Sequence, residues 1–173
     1  MTDVQWNEAY NVNGSISDPT FTKTNTTLAW NAGCATTGSF TPSQTGSVTF
    51  TTSNNDVMAG LSETRWDGTT GLPYQMTGSY LMYKDGVYED GLEVHSFTEG
   101  TDNTFKVEKA DANTINYYLN GSLEYVSTNT TTKTEMWGVT AHYNLSSYCT
   151  MTKETSSPSS SVFPPPPIAM IGY

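Results

Sequence analysis

The chain has 173 residues, of which 35% are hydrophobic, 12% aromatic and only 14% charged, with a formal net charge of −10. That length suits one domain with a real core, and the aromatic share excludes a charged, disordered chain. The negative charge excludes phosphate-driven nucleic-acid binding and disfavours an anionic membrane surface. No apolar run of about 18 residues exists, so no membrane-spanning helix is expected.

The polar remainder is rich in Ser, Thr and Asn. Thr is β-branched, and Ser and Asn compete with helical hydrogen bonds, so strands and turns are favoured. The opening "MTDVQWNEAY" lacks the basic-then-apolar pattern of a secretory signal. The chain is therefore expected either to lack its signal or to leave its cell by another route, as a virion component would. Further on, "GSVTFTT" puts Val48 and Phe50 on one face, and "DVMAGLS" puts Val57, Ala59 and Leu61 on one face. Trp6, Trp30 and Trp137 sit in alternating contexts and read as core.

Between strands lies "ETRWDGTTGLPYQMTGSY", too polar to be core. Trp66 and Tyr74 sit there amid Arg65, Asp67 and Gln75. Sugars present C–H faces that stack on aromatic rings, and hydroxyls that pair with Asp, Asn and Gln. This loop is the expected ligand site, with Trp66 and Tyr74 stacking and Arg65, Asp67 and Gln75 orienting. A capping role for Trp66 at the core edge competes with that reading.

"SYLMYKDGVYEDG" reads as two strands around an Asp85-Gly86 turn. "FKVEKA", "TINYYL" and "SLEYVS" read as a three-strand meander, with Asp111-Ala112-Asn113 as its first turn. Asn120-Gly121 supplies the two positive-φ residues of a type I′ turn. "MWGVTAHYNL" places Trp137, Val139, Ala141 and Tyr143 on one face. From residue 154 the composition changes. "ETSSPSSSVFPPPPIAMIGY" cannot form a ladder, and Pro164 to Pro167 favour an extended rod. The division is a sandwich domain at 1–153 and a tail at 154–173, either a linker or a docking segment. Self-assembly through residues 162–173 is one expectation for it.

Cys34 and Cys149 either pair, worth roughly 4–5 kcal/mol in a chain-entropy account, or stay buried as free thiols. Asn-X-Ser/Thr sequons occur at Asn13, Asn25, Asn120, Asn129 and Asn144. Thirteen Asn with 18 Ser and 30 Thr predict about 3.6 by chance, so five is hardly an excess. Calcium is a softer expectation. Residues 53–57, 65–71, 85–91 and 99–103 each offer oxygens, but none completes a known loop and hairpin turns use the same residues.

Catalytic motifs are missing: there is no GxSxG, HExxH or P-loop, and neither histidine, His95 or His142, has a metal-ligand neighbour at useful spacing. A glycosidase needs paired carboxyls, and the nearest candidate is "YEDGLEVH". There Gly91 interrupts, so Asp85, Glu89, Asp90 and Glu93 read as a solvated edge. No enzyme is expected.

"SISDPTFTKTNTTLAWNAGCATTGSF" is similar to the opening of concanavalin A-like, SPRY-like modules of bacterial and viral surface proteins. Phe21-Thr22-Lys23-Thr24, then Trp30-Asn31-Ala32-Gly33, "GSVTF" and Gly60-Leu61-Ser62 follow that order. The hairpin at 105–127 resembles theirs too. Together these segments span roughly residues 10 to 152. The resemblance implies an all-β, antiparallel two-sheet jelly-roll sandwich. It implies no single function, because lectins, protein-binding domains, hydrolases and coat proteins share the architecture. The leading expectation is a non-catalytic recognition or adhesion module on a cell or virion surface, holding a glycan or surface receptor. The alternative is a coat, fibre or filament subunit assembled through its tail. A SPRY-like protein-binding role comes third.

Overall fold

The computed structural model describes residues 1–52, 56–65, 76–98, 100 and 103–156. Fourteen strands and one 3₁₀ turn, Glu8–Tyr10, occur among them. Strands β1 to β5 are Thr2–Asp3, Gly14–Ser17, Thr20–Lys23, Ala32–Phe40 and Thr45–Thr52. Strands β6 to β9 are Val57–Ser62, Ser79–Tyr83, Gly86–Glu89 and Leu92–Ser96. Strands β10 to β14 are Thr104–Lys109, Ile115–Leu119, Ser122–Val126, Met136–His142 and Tyr148–Ser156. Among the described residues no helix is long and apolar enough to cross a membrane.

The strands form two antiparallel sheets, as the period-2 pattern predicts. One runs β12-β11-β10-β5-β14-β3-β2, with β1 also on β14. The other runs β4-β13-β6-β7-β8-β9. Alternate side chains meet between the sheets. Phe21, Val48, Phe50, Phe105, Val107, Ile115, Tyr117 and Met151 come from the first. Cys34, Phe40, Val57, Ala59, Leu61, Tyr80, Met82, Val87 and Met136 come from the second. Burying each large side chain contributes roughly 1.5–3 kcal/mol.

The meander stands where its alternation puts it. Val107 pairs with Tyr117 and with Val48, and Tyr117 with Tyr125. Asn120 (φ 50°) and Gly121 (φ 84°) form the left-handed pair. The other predicted turn is displaced by one residue. Tyr83 pairs with Gly86, so Lys84 and Asp85 make the loop and Gly86 opens β8. Asp90 (φ 51°) and Gly91 (φ 85°) form a second left-handed pair, joining β8 to β9. Strand β14 runs to Ser156, and residues 157–173 lie outside the described part.

Candidate functional site: an aromatic face on the six-stranded sheet

In β13, Met136, Thr140 and His142 point inward, so Trp137, Val139 and Ala141 point outward. Register lines up Ala35, Val139, Gly60, Leu81, Tyr88 and Glu93 in one outward row across all six strands. Gly33, Ala141 and Met58 form the next row. Small residues make this floor low, which leaves room for rings above it. Tyr10, Trp30, Tyr83, Tyr88 and Trp137 pack there half-buried, over a second apolar cluster of Ala35, Met58, Leu81, Val139 and Ala141.

Two groups of rings stand on this face. In one, the Arg65 guanidinium lies 4.3 Å from the Tyr10 ring centre and 4.6 Å from that of Trp137. A guanidinium between two rings is held by cation–π attraction and stacking. In the other, Trp30 meets Tyr83 at 5.5 Å and Tyr143 at 5.7 Å, and Tyr83 meets Tyr88 at 6.2 Å. Polar groups fringe these rings. Tyr88 donates to Glu93 at 3.4 Å, Tyr83 hydrogen-bonds to Asp56, and Asn144 donates to Asp56. Burial foremost, then Asp56 and Asp85, pushes the Tyr83 phenol up to about 12, so it stays a neutral donor. Flat apolar rings beside carboxylates and cations suit a ligand with C–H faces and hydroxyls.

Of the predicted ligand residues, Arg65 stands on this face. Trp66, Asp67, Tyr74 and Gln75 lie outside the described residues. The reading of all three tryptophans as core needs correction. Trp6 is core, 4% exposed, with its indole N–H donating to Pro19 O. Trp30 and Trp137 are half-buried on the outer face instead. Strand alternation says that Trp137 shares a face with Val139 and Ala141, but not which face. Tyr10 escaped notice because it stands on a 3₁₀ turn, and Trp30 was misassigned because it stands on a loop, where no periodicity applies.

The solvated-edge reading of the acidic stretch is wrong for Glu89, which is 6% exposed and faces the inter-sheet space. Its carboxylate accepts from Tyr117 Oη at 2.8 Å and Ser127 Oγ at 3.0 Å. Burial raises its pKa, against the lowering effect of those two bonds and of Lys133. Glu93 pairs with Tyr88 on the opposite face. The two carboxyls therefore do not flank one space, as a glycosidase pair must.

Cys34 and Cys149 are free, buried thiols, so the bridge reading does not hold. They sit in opposite sheets, and burial pushes each up to about 12, which makes them inert packing groups. His142 is wholly buried between Thr140 Oγ1 (2.9 Å) and Ser147 Oγ (3.0 Å). His95 is half-buried and stacks on Tyr125 at 5.4 Å. Four sequon amides already donate: Asn13 to Asn31 O, Asn120 to Asn103, Asn129 to Tyr80 and Asn144 to Asp56. Asn25 uses its carbonyl to accept from Thr27 N. Among the described residues no group of three or more His, Cys, Asp or Glu is placed to hold a metal.

No protein-family model matches the sequence, and no curated protein does. Solved structures do match in fold. The SPRY domain of human HERC1 superposes with a TM-score of 0.64 at 15% identity, covering 84% of this chain and 96% of that one. The NEUZ (NHR) domain of Neuralized from Drosophila melanogaster gives 0.57 at 16% identity, covering 87% and 91%. A carbohydrate-binding module from Bacillus subtilis gives 0.55 at 14% identity, covering 89% and 98%. At such identities the likeness is one of fold: the chain shares the two-sheet β-sandwich of these domains.

Proposed function

We propose that this chain is a non-catalytic recognition module that holds carbohydrate on the outer face of its six-stranded sheet. One observation carries the reading. Six half-buried rings and Arg65 are gathered on a face that the inter-sheet core does not need. Trp137, Tyr83 and Tyr88 would stack on sugar C–H faces. Asp56, Glu93 and Arg65 would take hydroxyls. Trp66, Asp67, Tyr74 and Gln75, chosen from the composition of their loop, stay part of the proposal as ligand residues. The bacterial module of like fold carries carbohydrate binding in its name, which supports the choice of ligand. Display on a cell or virion surface, in adhesion, fits this reading.

The test is a glycan-array screen of the wild type, Trp137→Ala and Tyr83→Ala, with and without calcium. The reading predicts selective wild-type binding, unaffected by calcium and weakened about tenfold or more in each variant (~1.4 kcal/mol). Undiminished binding by both folded variants would move the ligand off this face. Binding of no glycan by the wild type would remove carbohydrate as the ligand.

A further inference from the structure

Lys23 ends β3, is 1% exposed, and its ammonium lies among four oxygens. They are Thr27 O at 2.9 Å, Ala29 O at 2.7 Å, Asn31 Oδ1 at 2.7 Å and Tyr143 O at 2.6 Å. None is a carboxylate. An ammonium has three N–H bonds, so four close oxygens resemble the coordination of a bare monovalent cation more than a paired salt bridge. We infer that Lys23 is a tethered cation that positions Trp30 and Tyr143 on the ligand face, in a cage that potassium or ammonium ion also fits.

The cage is joined to the rings through the backbone. Ala29 and Asn31 flank Trp30, and each gives the ammonium an oxygen. Tyr143 gives its own carbonyl, and its ring meets Trp30. The segment is also tied by Asn31 N to Ala29 O at 2.8 Å and by Asn13 to Asn31 O at 2.6 Å. Both loops that carry these rings thus end on one charge. His142 lies close enough to feel Lys23 and is neutral, held down to about 3 chiefly by burial and further by the Lys23 charge.

Other lysines also bond backbone carbonyls, but fewer of them. Lys109 reaches Pro42 O and Gln44 O, Lys133 reaches Asn129 O and Thr131 O, and Lys153 reaches Ser39 O. Among the described residues, four oxygens converge only on Lys23. A tethered charge keeps the loops set at any ion concentration.

That this geometry serves a ligand rests on the carbohydrate reading; the cage itself does not. The test is therefore an indole ¹H–¹⁵N spectrum, with Trp30 assigned through Trp30→Phe. In Lys23→Ala the Trp30 resonance is expected to move, and to return on adding ammonium or potassium chloride but not lithium chloride at equal ionic strength. Lys23→Met, which fills the space without charge, is expected to stay displaced in every salt. Asn31→Ala, which removes one oxygen and keeps the charge, is expected to move Trp30 and leave Trp6 in place. An unmoved Trp30 in Lys23→Ala would overturn the inference, as would a displaced one that no cation restores. If Lys23→Ala does not fold in lithium chloride, folding in ammonium chloride sustains the inference and failure there overturns it. Glycan binding is read in parallel. Trp30 restored by cations without any wild-type binding would remove the ligand and leave the cage. Wild-type binding with Trp30 unmoved in Lys23→Ala would remove the cage and leave the ligand.

Discussion

At the scale of single residues, two buried titratable groups give opposite pH signatures. His142 is pushed down from 6.5 to about 3, chiefly by burial. The unfolded chain therefore binds a proton that the folded chain refuses, and stability falls as pH drops from about 6.5 towards 3. A displacement of that size is worth up to roughly 5 kcal/mol. Glu89 is displaced upward by burial, so the folded chain keeps its proton longer than the unfolded one. Its contribution falls as pH rises above the ordinary carboxylate value of 4.5. Urea denaturation at pH 7 and pH 4.5 separates the two. His142→Gln is expected to lose less stability on acidification than the wild type. Glu89→Gln is expected to hold up better relative to the wild type at pH 7 than at pH 4.5. Neither property was legible in the sequence. Both residues sit in ordinary strand patterns, and only the sheet facing them makes them interior.

At the scale of elements, alternation and turn chemistry located the strands well. Val48, Phe50, Val107 and Tyr117 all point where period 2 sends them, and Asn120-Gly121 turns as its residue types require. The pattern is silent about face, which is why Trp137 went to the wrong side of its sheet. It is also silent about partners, which is why Glu89 passed for a solvated edge. Two glycines give a graded test. At Gly121 a Cβ would meet nothing within 4 Å, so Gly121→Ala bears only the strain of φ +84°, about 1 kcal/mol. At Gly46 a Cβ would meet Glu154 O at 2.2 Å and Phe40 Cε1 at 2.5 Å. Gly46→Ala is expected to cost clearly more than Gly121→Ala, read as a larger drop in denaturation midpoint. Edge strands β9 and β12 each carry a bulge against their neighbour. Bulges blunt strand addition at open edges.

At the scale of the molecule, the net charge of −10 understates how anionic the outside is. All seven basic side chains have internal engagements. Lys23, Lys109 and Lys133 bond loop carbonyls, and Lys153 bonds Ser39 O in β4. Lys106 pairs with Glu108 at 2.8 Å, Lys84 lies over Tyr83, and Arg65 lies between rings. Lys23, Lys109 and Lys133 are 0–1% exposed. An amine-reactive reagent should therefore modify Lys84 and the N-terminal amine quickly and those three lysines slowly. Peptide mass spectrometry of native and urea-unfolded protein reads this directly, and equal labelling in the native state would contradict the burial. Composition made the acidity plain; that its few cations are engaged within the molecule needed the fold.

If the aromatic face of the six-stranded sheet holds the ligand, as proposed, binding depends on Trp137 and Tyr83. The most direct measurement is glycan-array binding by the wild type beside a folded Trp137→Ala, Tyr83→Ala double variant. Selective binding by the wild type, lost in the double variant, is the predicted result. Equal binding by both proteins would contradict it.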